Sequence, residues 1–321
     1  MKMNRSLGMR KSAGTIAVAA LAAIALLLAG CSDKAASSNG EGKLKVVASF
    51  YPMYEFSKQV GGSHADVIAL IPAGAEPHDW EPSAKDMARV KEADVFVYNG
   101  IVEGWVENAL QSATNSKRIV VEASKGIDLM EGVPEEEEAE GNHEHDHELD
   151  PHVWLDPVLA QKEVRAIQAA FEKADPANKA VYKKNADAYI EKLVQLDAAY
   201  QTAMQTVKSK AFVTQHAAFG YLAKRYGLAQ IPIAGLSPEQ EPAPGKMAEI
   251  VAFAKTNEVK TIFFETLVDP KVAKTVADEI GAKTDVLNPI EGLTDEDKKK
   301  GLDYIGLMTN NLNALKKALN E

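Results

Sequence analysis

Histidine is the residue type in this 321-residue chain with the most scope for chemistry, and there are seven: His64, His78, His143, His145, His147, His152 and His216. Three of them crowd into one acidic stretch. The others stand apart, each with its own context. His78 sits in Gly74-Ala75-Glu76-Pro77-His78-Asp79-Trp80-Glu81-Pro82, a loop bracketed by prolines. His152 sits in Asp150-Pro151-His152-Val153-Trp154-Leu155-Asp156-Pro157, and His216 follows Thr214-Gln215. Glu291 lies in Asn288-Pro289-Ile290-Glu291-Gly292. Any single histidine beside a strand is more often a hydrogen-bonded packing residue than a ligand. Three in loops, with a carboxylate, are more informative. Neutral imidazole suits a first-row dication such as Zn²⁺ at about 2.0–2.1 Å, and a carboxylate completes the tetrahedron. Glu76, Asp79 and Asp156 are placed to offset residual charge or to orient the imidazoles. His64, in Gly61-Gly62-Ser63-His64-Ala65, lacks comparable context and reads as structural.

No catalytic motif in the sequence stands in the structural context its chemistry needs. His143-Glu144-His145-Asp146-His147 is one residue too short for the His-x-His-x-Asp-His of metallo-hydrolases, and it lies in a low-complexity loop. The same five residues spell His-Glu-x-x-His, but that motif binds zinc from one face of a helix, and this low-complexity acidic run predicts none; there is no Gly-x-Ser-x-Gly or Walker Gly-Lys-Ser/Thr. A catalytic zinc keeps an open position, whereas four protein ligands close it. The expectation is therefore a carrier and not an enzyme.

The elements that must position these residues alternate. Short β-branched runs at 44–49, 67–71, 94–98 and 118–121 are separated by helix-like stretches near 52–60, 83–91 and 104–113. The pattern restarts at 211–215, 230–233, 259–264 and 284–287, with helices near 217–226, 244–256, 270–280 and 295–319. This predicts two α/β lobes with mostly parallel sheets, at 43–175 and 209–321. Between them, Tyr182, Ala186, Tyr189, Leu193, Leu196, Tyr200, Ala203 and Val207 recur at spacings of three and four. That predicts one long rigid helix over 176–208 joining the lobes. His78, His216 and Glu291 fall just beyond the carboxyl ends of strands, where open α/β sheets bind ligands. The predicted metal site lies between the lobes.

Composition narrows the setting. Lys plus Arg is 36 and Asp plus Glu is 46. Residues 1–30 carry Lys2, Arg5, Arg10 and Lys11 and no acid, so the remainder has 32 bases against 46 acids. A basic nucleic-acid-binding surface is excluded on that balance. Residues 1–30 read as a secretory signal: a basic start, then an uncharged run rich in Ala and Leu. Leu28-Ala29-Gly30-Cys31 contains the single cysteine, which excludes a disulfide framework. Residues 31–42 have the composition of a flexible tether. The stretch 131–149 is an acidic, histidine-rich loop. It is either a solvated excursion or a low-affinity metal collector through His143, His145 and His147.

These motifs resemble one family: the zinc and manganese substrate-binding lipoproteins of bacterial ABC transporters. The stretches 74–82, 150–157 and 215–222 carry the resemblance, which extends over 43–321. Its ligand positions match His78, His152 and His216, with Glu291 as the fourth; some relatives carry Asp where this chain has Asn288, and water or Glu76 are alternatives. The resemblance implies lipidation at Cys31, an extracytoplasmic protein leashed to the cell membrane, and delivery of Zn²⁺ to an ABC permease. Manganese members place a carboxylate where this chain has His216, so zinc is the expected cargo. Some members were first described as adhesins, although nothing in this sequence encodes such a partner. The expected state is a monomer.

Overall fold

The computed structural model describes residues 42–132, 149–239 and 242–321. In the first half the β-branched runs form β1 (Leu44–Ala48), β2 (Ala65–Ala69), β3 (Val95–Tyr98) and β4 (Ile119–Glu122). They pair in parallel in the order β2-β1-β3-β4. A parallel sheet is covered on both faces, so neighbouring residues of opposite facing are both buried. Val46 and Val47 meet that condition, as do Val95, Phe96 and Val97. One face packs on α1 (Tyr51–Gly61) and α4 (Pro157–Ala174), the other on α2 (Ala84–Glu92) and α3 (Val106–Ser112).

The second half repeats the design. Strands β5 (Ala211–Thr214), β6 (Ala229–Pro232), β7 (Thr261–Phe264) and β8 (Lys283–Val286) are parallel in the order β6-β5-β7-β8. Its helices are α6 (Gly220–Tyr226), α7 (Pro244–Thr256), α8 (Lys271–Ile280), α9 (Asp295–Lys299) and α10 (Tyr304–Ala318). The predicted helix over 295–319 is thus two helices. Gly301, at φ 67°, turns the chain between them, and the Asp303 side chain accepts from Gly306 N to start α10.

The linking helix α5 spans Lys179–Gln205, 27 residues, or about 40 Å. It is shorter at both ends than the expected 176–208. Residues Pro176–Asn178 form a 3₁₀ turn, where Asp175 accepts from Asn178 Nδ2 and the Tyr182 hydroxyl, both at 2.7 Å. Val207 is buried although it lies past the helix end. Helix α5 packs on α1 and α4 of the first lobe and on α10 of the second. Its buried face, Tyr182 through Met204, belongs to one hydrophobic core that also holds Phe56, Phe171, Phe212, Phe219 and Tyr304. The lobes therefore share a core, and residues Lys43–Glu321 form one compact unit.

In each sheet the strand order reverses beside the first strand. That reversal leaves a crevice at the carboxyl edge, where α/β proteins bind ligands. Ala48 pairs with Ala69 and Val97, and Thr214 pairs with Pro232 and Phe263. Two residues beyond these pairs, Phe50 and Asn99 correspond to His216 and Glu265. In the first lobe the crevice is closed by the buried Glu103 carboxylate, which accepts from the Ser49 hydroxyl, Asn99 N and Gly100 N. In the second lobe it holds His216 and Glu265.

Candidate metal centre

Four loops of different origin reach one point between the lobes. His216 directly follows β5, and its backbone is fixed because its carbonyl accepts from Thr214 Oγ1 and Gln230 Nε2, both at 2.8 Å. His152 stands before the 3₁₀ turn Val153–Leu155 that leads into α4. His78 lies in the loop between β2 and α2, where its backbone N–H donates to the Glu76 carboxylate at 3.0–3.1 Å. Glu291 follows β8 on a tight turn. Ile290 there has φ 62°, which a β-branched residue rarely adopts. The turn is held by Asn288 Oδ1, which accepts from Ile290 N at 2.7 Å, and by Asn311, which pairs with both Asn288 N and Asn288 O.

The four side chains converge. Glu291 Oε1 is 3.3 Å from His78 Nε2, 3.3 Å from His152 Nε2 and 3.6 Å from His216 Nε2. His216 Nε2 is 3.4 Å from His152 Nε2. All four donor atoms lie within 4.8 Å of one another. A tetrahedron with bonds of 2.0–2.1 Å has edges of about 3.3 Å, so four of the six edges are already near the length a zinc ion requires. The other Glu291 carboxylate oxygen is buried and has no hydrogen-bond partner among the described residues.

Each deep imidazole is oriented from behind. His152 Nδ1 lies 2.8 Å from Asp150 Oδ1, which also accepts from His152 N. His216 Nδ1 contacts the Glu265 carboxylate. A carboxylate only accepts, so Nδ1 carries a proton in either charge state, and once the ring is neutral the Nε2 lone pair points at the site. The metal-free electrostatics follow. Burial alone drives the His216 imidazolium pKa down, but Glu265 and Glu291 outweigh it and lift the pKa to about 10. His152 is raised in the same sense: burial opposes, Asp150 and Glu291 prevail. For Glu291 burial pushes the carboxyl up, and the three imidazoles together hold it well below the ordinary range.

Residues 46–318 match the family described as ZnuA, zinc-uptake complex component A, periplasmic. The chain belongs to that family. It is 53% identical over 306 residues to the high-affinity zinc uptake system protein ZnuA of Bacillus subtilis, covering 93% of this chain and 96% of the relative. It is 46% identical to the zinc-binding lipoprotein AdcA of Streptococcus pneumoniae, covering 92% of this chain but only 59% of that longer protein. The Zn(II)-bound ZnuA-like domain of AdcA superposes with a TM-score of 0.75 at 45% identity, over 87% of this chain and all of that one. The laminin-binding protein Lmb of Streptococcus agalactiae, described as bifunctional with adhesin and metal-transporting activity, superposes at 0.76 with 39% identity, over 87% of this chain and 100% of the other. The two-lobed α/β fold of the family is the fold of this chain.

Of the residues singled out in the sequence, the structure brings His78, His152, His216 and Glu291 together. The carboxylates behind the imidazoles differ from those expected. Asp156 is engaged elsewhere: Oδ1 caps α4 through Val158 N, and Oδ2 pairs with Arg225 at 2.7 Å. Asp79 is exposed, and Glu76 approaches the His78 ring only to 3.9 Å. Asp150 and Glu265 hold the rings instead. Glu265 was legible by the rule that singled out His216 and Glu291, since it directly follows a strand. The Asn288 side chain is spent within the turn. Trp154 lies against His152, with ring centroids 5.1 Å apart, whereas Trp80 packs edge-on against Trp105 at 5.3 Å. Cys31, His143, His145 and His147 lie outside the described residues.

Proposed function

We propose that this chain captures Zn²⁺ outside the cytoplasmic membrane and delivers it to an ABC permease for high-affinity uptake. His78, His152, His216 and Glu291 are its ligands. The observation that carries this reading is the set of donor distances near the edges of a zinc tetrahedron, with the deep imidazoles locked Nε2-forward by Asp150 and Glu265. Three nitrogens and one oxygen favour zinc over manganese, by ligand type and by the Irving–Williams order. The site closes with four protein ligands, which suits carriage and not catalysis. The shared core and the helix α5 limit lobe opening, so loading and release proceed by small loop or side-chain movements. Cys31 carries the lipid anchor, and residues 32–42 are the leash. His143, His145 and His147 concentrate metal near the cleft. The protein acts as a monomer.

The test is metal analysis of protein purified without added metal, followed by competition between zinc and manganese. Zinc occupancy near one ion per chain, retained against excess manganese, is the expected result. His216→Asp should narrow that preference, because a carboxylate replaces an imidazole. Manganese outcompeting zinc in the unaltered protein would overturn the assignment.

A further inference from the structure

Trp154 joins the two halves of the site. Its backbone belongs to the first lobe, two residues after His152. Its indole Nε1–H donates to the Pro289 carbonyl of the second lobe at 2.8 Å, two residues before Glu291. The Tyr304 hydroxyl of α10 donates back to the Trp154 carbonyl. The Trp154 side chain is fully buried, with Phe50 edge-on to its ring at 5.0 Å, so solvent has no access to replace these bonds. The turn they hold contains Ile290 in the left-handed region, a conformation that persists only where its surroundings impose it. Its other restraints, from Asn288 and Asn311, come from the second lobe itself. The indole bond ties that turn directly to the segment bearing His152.

We propose that Trp154 is a positioning residue for zinc: its indole N–H sets the 3.3 Å separation of His152 Nε2 and Glu291 Oε1 before the ion arrives. The inference rests on the metal-site reading above. Preorganised donors need no rearrangement on binding, so loss of the bond lowers affinity and loosens coordination. Loss of an outer partner of this kind typically weakens metal binding about 10- to 100-fold.

The experiment compares Trp154→Phe with Trp105→Phe. Both retain an aromatic ring, but the Trp105 Nε1 is buried without a hydrogen-bond partner among the described residues, so its removal breaks no bond. Trp154→Phe should bind zinc at least about tenfold more weakly. Its Co²⁺ complex should show the weaker visible absorption of a higher-coordinate ion, which a purely structural defect would not produce. Trp105→Phe should match the unaltered protein on both readouts. Equal affinity and an equal Co²⁺ spectrum for Trp154→Phe would overturn the inference while leaving the site intact. Failure of the unaltered protein to bind zinc would instead overturn the metal reading. A second measurement needs no variant to fold: in the metal-free protein the Trp154 indole N–H should exchange slowly with solvent. Fast exchange without zinc and slow exchange with it would mean that the ion makes the bond, contradicting preorganisation.

Discussion

Zinc binding should displace protons, and the count follows from the buried charges. In the metal-free site His216 holds its imidazolium up to a pKa of about 10, because Glu265 and Glu291 overcome the burial that opposes it. Zinc needs the neutral Nε2. At pH 7 removing that proton costs about 4 kcal/mol, three pH units at about 1.36 kcal/mol each. Zinc affinity should therefore rise about tenfold per pH unit for each proton displaced, from pH 6 towards the His216 value. His152, also raised, adds to the count wherever the pH lies below its own value. Calorimetric titration in buffers of different ionisation enthalpy should report at least one proton released per zinc at pH 7. Glu265→Gln removes the charge that lifts His216 while still meeting Nδ1, so fewer protons should be released and the pH dependence should flatten. Its affinity deficit should be largest in alkali, where proton competition no longer handicaps the unaltered site. The same group affects folding. A histidine whose pKa is raised stabilises the folded state fully below the unfolded value of about 6.5, and that stabilisation is lost as pH rises towards the folded value. The metal-free protein should thus melt at falling temperature from neutral pH into alkali. Zinc-independent proton balance, or unchanged proton release in Glu265→Gln, would refute this account of the site.

Two further outcomes test the scaffold. Burial pushes the Glu163 carboxyl well above its ordinary range, with the neighbouring Glu103 adding to the effect against the Asn99 bond. Its folded form keeps a proton that the unfolded chain releases, so Glu163→Gln should stabilise the protein by an amount that grows as pH rises above the ordinary carboxylate range; urea denaturation at pH 5 and pH 8 giving equal gains would contradict this. Leu193 is fully buried on α5 in the core shared by both lobes, so Leu193→Ala should cost about 2–5 kcal/mol, with zinc stoichiometry retained at low temperature; a cost below about 1 kcal/mol would mean that α5 is not the joint described.

The strands and the four convergent residues were legible because a periodic run and a position just beyond a strand are one-dimensional features. His216 and Glu291 are of that kind, and His78 and His152 stand in distinctive proline-bracketed loops. The partners behind them were harder. Glu265 meets His216 because β7 lies beside β5, and strand order is not written in either segment alone. Asp150 lies two residues from His152, but its role depends on a turn that folds the carboxylate back onto the ring. Asp156 looked equally suitable in sequence, yet Arg225 and the start of α4 take its two oxygens. The indole bond of Trp154 joins residues 135 positions apart, beyond the reach of spacing. Helix ends moved for local reasons: Gly301 broke the predicted 295–319 helix, and a 3₁₀ turn replaced the start of the linking helix.

Zinc K-edge X-ray absorption on the loaded protein tests the central claim most directly. The predicted spectrum is four-coordinate, with three imidazole nitrogens and one carboxylate oxygen at about 2.0–2.1 Å, and it is lost when His78, His152 and His216 are replaced together. A six-coordinate shell dominated by oxygen, or a spectrum unchanged in that triple variant, would contradict it.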